Sequence, residues 1–126
     1  GRIVIFGGGI ANPFFSTDTT AALRSCELDI DLILMAKNGV DGVYDKDPRK
    51  DKTANRYTKM SHQEILDKNL AVMDLTAATL CAQNNVDIYV FDMNKKGNIS
   101  KAANDFSFGT LITNKYKKGE IICLIL

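Results

Sequence analysis

Residues 2–35 have the sequence RIVIFGGGIANPFFSTDTTAALRSCELDIDLILM, and this stretch decides the fold class. An apolar, β-branched run that ends in three glycines predicts a buried strand over residues 2–8. A helix is predicted next, beginning with a cap at residues 16–18 and ending near Glu27. A second buried strand follows at residues 32–35. Strand, helix and strand at this spacing predict a right-handed parallel crossover.

The rest of the chain alternates between helical and strand patterns. Ser61 and Glu64 have the spacing of a capping box at the start of one helix. After a polar loop over residues 36–59, in which we expect a small hairpin, the patterns predict helices over 61–68, 75–83 and 99–103 and strands over 87–92 and 109–113. This alternation predicts an α/β fold with an open, mainly parallel sheet and helices on both faces.

Length and composition limit the classes of function. A chain of 126 residues suits one compact domain, and it begins within a strand pattern, which indicates a processed chain or a piece of a longer one. Sixteen basic and fifteen acidic residues give a net charge of +1, which favours neither nucleic acid nor a membrane surface as a partner. Three widely spaced cysteines and one histidine argue against a disulfide framework or structural zinc and favour a reducing compartment.

The loop over residues 7–18 has the composition of a binding loop. Its consecutive glycines let backbone amides approach a ligand closely, and the helix start offers free N–H groups to an anion. Phe14 and Phe15 are suited to flank a flat base, and Ser16 and Thr17 carry hydrogen-bonding hydroxyls. The alternative is a tight turn with an ordinary helix cap. The glycine spacing matches neither a dinucleotide-binding motif nor a P-loop.

A second such loop spans residues 36–48. Tyr44 offers a ring for stacking on a purine, Asp47 can accept from a ribose hydroxyl or an amine, and Lys37 can meet phosphate. The alternative is a solvated loop whose charges have no role. Both loops follow strands that we expect to be neighbours, and ligands of open α/β sheets bind beyond the carboxyl ends of the strands.

Several motifs follow one another in the order typical of one enzyme family. They are Ala11-Asn-Pro-Phe-Phe-Ser-Thr-Asp18, Ala21-Ala-Leu-Arg24, Ala36 to Tyr44, Asp47-Pro48, Val72-Met-Asp74, and Phe91-Asp-Met-Asn94 with Gly97-Asn98. Together they resemble the bacterial-type uridylate (UMP) kinases of the amino-acid kinase family, from Arg2 to Thr113. The resemblance implies that residues 1–114 are the carboxy-terminal, nucleotide-binding part of such a kinase. Residues 115–126 are an unmatched tail.

The resemblance implies an activity and a set of site residues. The family transfers the γ-phosphoryl group of ATP to UMP with Mg²⁺, giving UDP and ADP in pyrimidine nucleotide biosynthesis. The implied UMP-binding residues are Ile10, Ala11, Asn12, Pro13, Phe14, Phe15, Ser16 and Thr17, and Thr17 reads the uracil edge. The implied ATP-binding residues are Asn38, Tyr44 and Asp47. Asp18 and Asp74 are the implied catalytic residues, with helix capping by Asp18 and a structural role of Asp74 as the alternatives.

The resemblance also implies a cytoplasmic hexamer regulated by GTP and UTP, or a protein of an organelle stroma in a eukaryotic host. The family's early strand, with its phosphate-binding lysine, has no counterpart in this sequence. We therefore expect the chain alone to bind nucleotide weakly and to have little or no kinase activity. Two other functions remain open. One is a related kinase acting on a carboxylate or carbamate, which would favour basic residues over Phe14, Phe15 and Thr17. The other is a non-catalytic nucleotide-binding or assembly module.

The tail ends in Cys123-Leu-Ile-Leu126, which fits a prenylation motif of the C-a-a-X type. The alternatives are an added edge strand and a chance apolar end. We expect no membrane partner, because no long apolar span is visible in the sequence.

Overall fold

The computed structural model describes residues 3–114 and the backbone of residues 122–125. The elements in chain order are α1 (Thr17–Glu27), β1 (Leu32–Lys37), β2 (Lys59–Met60), α2 (His62–Asp67), α3 (Leu75–Asn84), β3 (Asp87–Asp92), α4 (Asn98–Ala102), β4 (Thr110–Ile112) and β5 (Ile122–Ile125). The strands form one sheet in the order β2-β4-β3-β1-β5. All neighbours are parallel except β3 and β4, which are antiparallel. The predicted mainly parallel α/β sheet is confirmed.

The two central strands, β1 and β3, are covered on both faces. Successive side chains of a strand point to opposite faces, so each strand contributes to two apolar clusters. The first cluster joins strand residues Ile33, Met35, Ile88 and Val90 to Ala22 of α1, Ile65 of α2 and Ala77 of α3. The second joins strand residues Leu32, Leu34, Tyr89 and Phe91 to Ala102 of α4. The prediction of helices on both faces is therefore confirmed.

Local sequence signals fix where the helices begin. Ser16 caps α1, because its side-chain oxygen accepts from the backbone N–H of Thr19 at 3.1 Å. The capping box predicted for α2 is present: Ser61 Oγ accepts from the Glu64 N–H, and Glu64 Oε2 accepts from the Ser61 N–H. Such caps satisfy the N–H groups that have no partner within a helix.

The predicted buried strand over residues 2–8 is wrong. Residues 3–7 have no regular secondary structure, and Ile3 and Ile5 are 95% and 91% exposed. The physical reason is the occupation of the sheet. β1 pairs with β3 on one side and with β5 on the other, so the position beside β1 that the crossover rule predicts for this segment is taken.

The tail prediction divides into two parts. The edge-strand interpretation is confirmed for the backbone of residues 122–125, which pairs in parallel with β1. The prenylation hypothesis concerns the Cys123 side chain, which lies outside the described residues. Within residues 3–114, every helix is too short or too polar to cross a lipid bilayer.

Candidate functional site

The ends of four elements meet at one rim of the sheet. Residues 28–31 connect α1 to β1, and residues 85–86 connect α3 to β3. Because these connections are short, the chain reverses direction in them, and each helix begins at the rim where the following strand ends. Ser16, at the start of α1, donates a hydrogen bond from Oγ to the carboxylate of Asp74, at the start of α3. The loop before α1 thus reaches the predicted rim, although it does not leave a strand. Ligands of open α/β sheets bind at this rim.

The loop after β1 folds back on itself as a small hairpin, as predicted. Tyr44 and Arg56 form an antiparallel bridge. On either side of that bridge, the Tyr57 N–H donates to the Val43 carbonyl at 2.8 Å, and the Asp45 N–H donates to the Asn55 carbonyl at 3.1 Å. The loop therefore has a fixed backbone that can hold side chains in place around a ligand.

Thr110 of β4 ties both arms of this hairpin to the sheet. Its Oγ1 accepts from the Val43 N–H at 2.8 Å and donates to the Tyr57 carbonyl. The loop lies so close that a Cβ atom on Gly42 would come within 2.5 Å of Thr110 Oγ1 and 2.8 Å of Arg56 Cδ. Glycine at position 42 is required by this close approach of the backbone.

Tyr44 is held by a network around Asp41. Its hydroxyl donates to Asp41 Oδ1 at 2.7 Å, and Arg56 Nη1 donates to Asp41 Oδ2 at 3.0 Å and to the Phe108 carbonyl at 2.8 Å. The bond to Asp41 raises the pKa of the Tyr44 phenol, so the hydroxyl stays protonated at neutral pH. The ring is thus fixed in position, as a stacking platform requires.

A cavity of about 420 Å³ lies between this loop and the connection from α2 to α3. Its walls are Lys37, Val40, Gly42 to Arg49 and Asn69 to Val72, and Val90 of β3 also lines it. The volume is within the range of small-molecule sites, which combine apolar walls with a few polar groups. Lys37, Lys46 and Arg49 place three cations on the lining, which suits a phosphorylated ligand.

Two of the three predicted ATP-site residues, Tyr44 and Asp47, line this cavity. Asn38 follows the lining residue Lys37 in the chain but is not itself on the wall. The wall at residues 69–72 was missed by the sequence analysis. The only signal there was Val72, which begins one of the family motifs.

The predicted UMP-site residues, Ile10 to Thr17, lie outside this cavity, and Ala11 to Thr17 are exposed. Phe14 is fully exposed and Phe15 half so. Ala11 and Phe14 have left-handed φ angles of +59° and +73°, a conformation that costs a non-glycine residue about 1–2 kcal/mol. Such strain is common in ligand-binding loops, where the surrounding structure maintains it.

Asp74 joins the starts of the two helices. Its carboxylate accepts from Ser16 Oγ, from Thr19 Oγ1 at 3.1 Å and from the Ala77 N–H at 3.0 Å. Burial raises the pKa of Asp74, but the hydrogen bonds from Ser16, Ala77 and Thr19 outweigh it, so the pKa lies below its ordinary value. These contacts favour the structural alternative for this residue.

Asp18 lies in the first turn of α1 and is half-buried. The side-chain cap of α1 is Ser16, so Asp18 acts on the helix through its negative charge near the positive end of the dipole. Within residues 3–114, no three His, Cys, Asp or Glu side chains lie close enough together to hold a metal ion.

Comparison with known proteins gives a family model and relatives named uridylate kinase or UMP kinase. The model of the amino acid kinase family matches residues 1–92. A uridylate kinase of Onion yellows phytoplasma (strain OY-M) is 56% identical over 115 residues, which are 90% of this chain and 48% of that protein. The chain therefore spans about half the length of this curated relative.

Solved structures agree in fold. The UMP kinase of Bacillus anthracis superposes with a TM-score of 0.83 at 35% identity, over 90% of this chain and 47% of that one. The UMP kinase of Ureaplasma parvum gives a TM-score of 0.76 at 38% identity, over 84% of this chain and 45% of that one. With a family model matching residues 1–92 and these likenesses, the chain belongs to the amino acid kinase family.

Proposed function

We propose that this chain is the nucleotide-binding part of a UMP kinase, and that the whole protein transfers the γ-phosphoryl group of ATP to UMP. The observation that carries the proposal is the cavity at the sheet rim, with Lys37, Tyr44 and Asp47 on its walls. The relatives named uridylate kinase and UMP kinase support the choice of acceptor.

The cavity is assigned to ATP. Tyr44, held by Asp41, stacks on the purine, and Asp47 accepts from a ribose hydroxyl. Asn38, next to the lining residue Lys37, contributes an amide at the edge of the cavity, and Lys37 meets the polyphosphate. The apolar side chains of Val40 and Val72 provide the dry surface that a flat base prefers.

The start of α1 is assigned to UMP. Ile10 to Thr17 surround the nucleotide, with Thr17 on the uracil edge, and Asp18 organises the phosphate-binding cations. Phosphoryl transfer needs positioning and charge stabilisation more than covalent help from the protein. The Mg²⁺ that the family implies would neutralise part of the negative charge of the transferring phosphates when bound with the nucleotide.

Calorimetric titration of the chain with ATP and with UMP, each alone, tests the two assignments. We expect weak binding of both nucleotides. Tyr44→Ala should weaken ATP binding about tenfold, because stacking on an aromatic ring contributes about 1–3 kcal/mol per base. Tyr44→Phe is the matched control, since it keeps the ring and removes only the bond to Asp41. Thr17→Val should weaken UMP binding and leave ATP binding unchanged.

Three results would contradict the proposal in different ways. Equal ATP affinity of wild type and Tyr44→Ala would contradict the assignment of the cavity to ATP. Equal UMP affinity of wild type and Thr17→Val would contradict the assignment of uracil recognition to the start of α1. Binding of neither nucleotide would favour the alternative, a purely structural assembly module of the same fold.

The proposal extends to the family properties expected from the sequence. These are a homo-hexamer, regulation by GTP and UTP, and a cytoplasmic location. Sedimentation velocity of the chain with and without GTP and UTP tests the first two, and a monomer that is indifferent to both nucleotides would contradict them for this chain.

A further inference from the structure

The turn between β3 and α4 lies against the beginning of the loop after β1. The Met93 N–H donates to the Lys37 carbonyl at 2.9 Å, which continues the pairing of β3 with β1 past the end of both strands. Further along, Lys95 Nζ lies 3.9 Å from Asp41 Oδ2. The two loops are thus in contact at both ends of a short stretch, and the pair Asn38 and Asn94 lies between these contacts.

Asp92, the last residue of β3, anchors both loops. It is only 8% exposed, and its Oδ1 accepts from the Gly39 N–H at 3.2 Å and from the Asn94 N–H at 2.9 Å. Its carbonyl accepts from Asn98 Nδ2 at 2.8 Å, which fixes the turn to the start of α4. One carboxylate oxygen therefore sets the positions of Gly39 and Asn94 relative to each other.

Asn94 makes the contact that fixes the orientation of the Asn38 side-chain amide. Its Nδ2 donates to Asn38 Oδ1 at 2.8 Å. One lone pair of the exposed Asn38 side-chain oxygen is thereby engaged by the protein, and this bond turns the Nδ2 group, the donor end of the amide, away from Asn94. The Asn38 backbone is held as well, because its carbonyl accepts from Arg49 Nη2 at 3.2 Å.

We propose that Asn94 is a positioning residue that determines nucleotide specificity. By holding the oxygen of the Asn38 amide, it makes Asn38 present a hydrogen-bond donor to the nucleotide. The site then selects a ligand with an acceptor at that place, such as a ring nitrogen of a purine. Asn94 acts only through Asn38 and touches no ligand. The inference rests on the proposed function of the loop over residues 36–48.

Two substitutions at this exposed position separate orientation from packing. Asn94→Asp has the size and shape of the native residue but carries only acceptors, so it forces the Asn38 amide to turn and donate to it. The turned amide then presents its oxygen where the ligand requires a donor. Asn94→Ala removes the partner and leaves the Asn38 amide free to take either orientation.

Adenosine is the probe, and binding is measured by calorimetry. Adenosine is uncharged, so the added carboxylate of Asn94→Asp does not repel it as it would repel the phosphates of ATP. We expect Asn94→Asp to weaken adenosine binding about tenfold, the effect of one misplaced hydrogen-bonding group at a ligand. Asn94→Ala should weaken it less. If Asn94 acted only through packing, Asn94→Ala would weaken adenosine binding more than Asn94→Asp, because aspartate conserves the volume of asparagine.

The Asn38 side-chain NH₂ resonances provide a readout that needs no ligand. In Asn94→Asp these protons become donors to a carboxylate, so we expect a downfield shift and slower exchange than in the wild type. Urea midpoints of all three proteins check that each is folded. Wild-type affinity in Asn94→Asp, or a larger loss in Asn94→Ala, overturns the inference and leaves the proposed function intact. A folded wild type that binds neither adenosine nor ATP overturns both.

Discussion

Replacing Asp74 with alanine should separate the starts of α1 and α3. The substitution removes the acceptor for Ser16 Oγ, for Thr19 Oγ1 and for the capping N–H of Ala77. Loss of an N-cap costs about 1 kcal/mol. A hydrogen bond to a charged group contributes about 1.5–3 kcal/mol when buried, which we discount to about 1 kcal/mol each for the two partly exposed hydroxyls. The expected loss of stability is about 3 kcal/mol.

Urea unfolding followed by circular dichroism measures this loss. With a slope of about 1.5 kcal/mol per molar urea for a chain of this size, the unfolding midpoint of Asp74→Ala should fall by about 2 M. Asp74→Asn is the matched control. It keeps the volume and one acceptor oxygen, so we expect about half the effect.

The pH dependence gives a second test of the same carboxylate. The pKa of Asp74 in the folded protein lies below the value in the unfolded chain, so its contribution is present above the unfolded pKa, near 4, and disappears as the pH falls through the folded pKa. The difference between wild type and Asp74→Ala should therefore shrink in acid. An Asp74→Ala midpoint equal to that of the wild type at neutral pH would show that other contacts join the two helices, and our reasoning would be refuted.

Three further predictions concern other parts of the fold. Burial lowers the pKa of His62 despite a backbone hydrogen bond involving Val86, so its contribution to stability should fall as the pH drops below about 6.5; wild type but not His62→Leu should have a lower urea midpoint at pH 5.5 than at pH 7.5. Gly109→Ala should lower the melting temperature by about 10 °C, because its Cβ would overlap the Val90 carbonyl oxygen, whereas Gly7→Ala, with open space around it, should have no effect. Thr110→Val leaves the Val43 N–H without its acceptor, so amide exchange at Val43 should accelerate at least tenfold, and exposed Thr58→Val should leave it unchanged.

Structural features that depend on a few neighbouring residues were predicted correctly from the sequence. The capping box of Ser61 and Glu64 and the apolar run of β1 depend on contacts within one element or on burial of a single strand. The hairpin after β1 was expected for a related reason, since a polar loop of that length needs internal bonds. The family motifs predict an ATP site with Asn38, Tyr44 and Asp47; the last two line one cavity, and their binding of ATP stays a prediction.

Features that join distant parts of the chain were not predicted. The pattern of residues 2–8 is that of a strand, but its place beside β1 is occupied by β5, more than 100 residues away. Similarly, nothing in residues 69–71 indicates that they form a wall of the cavity, because their position depends on how α2 and α3 pack. The periodicity of apolar residues indicates which segments can form strands. It does not indicate which of several such segments pairs with a given edge of the sheet.

The exposed segment from Ile3 to Phe6 has a practical consequence. Its four consecutive apolar side chains are between 53% and 95% exposed and form a hydrophobic surface patch. Three of the four are β-branched, which favours an extended, strand-like backbone. Such a stretch can add itself to the open sheet edge of another molecule. We expect light scattering by this protein to increase with concentration and with sulfate salts, and Ile5→Lys to reduce it. Four side chains that belong to neither apolar cluster then contribute to the colloidal behaviour of the protein.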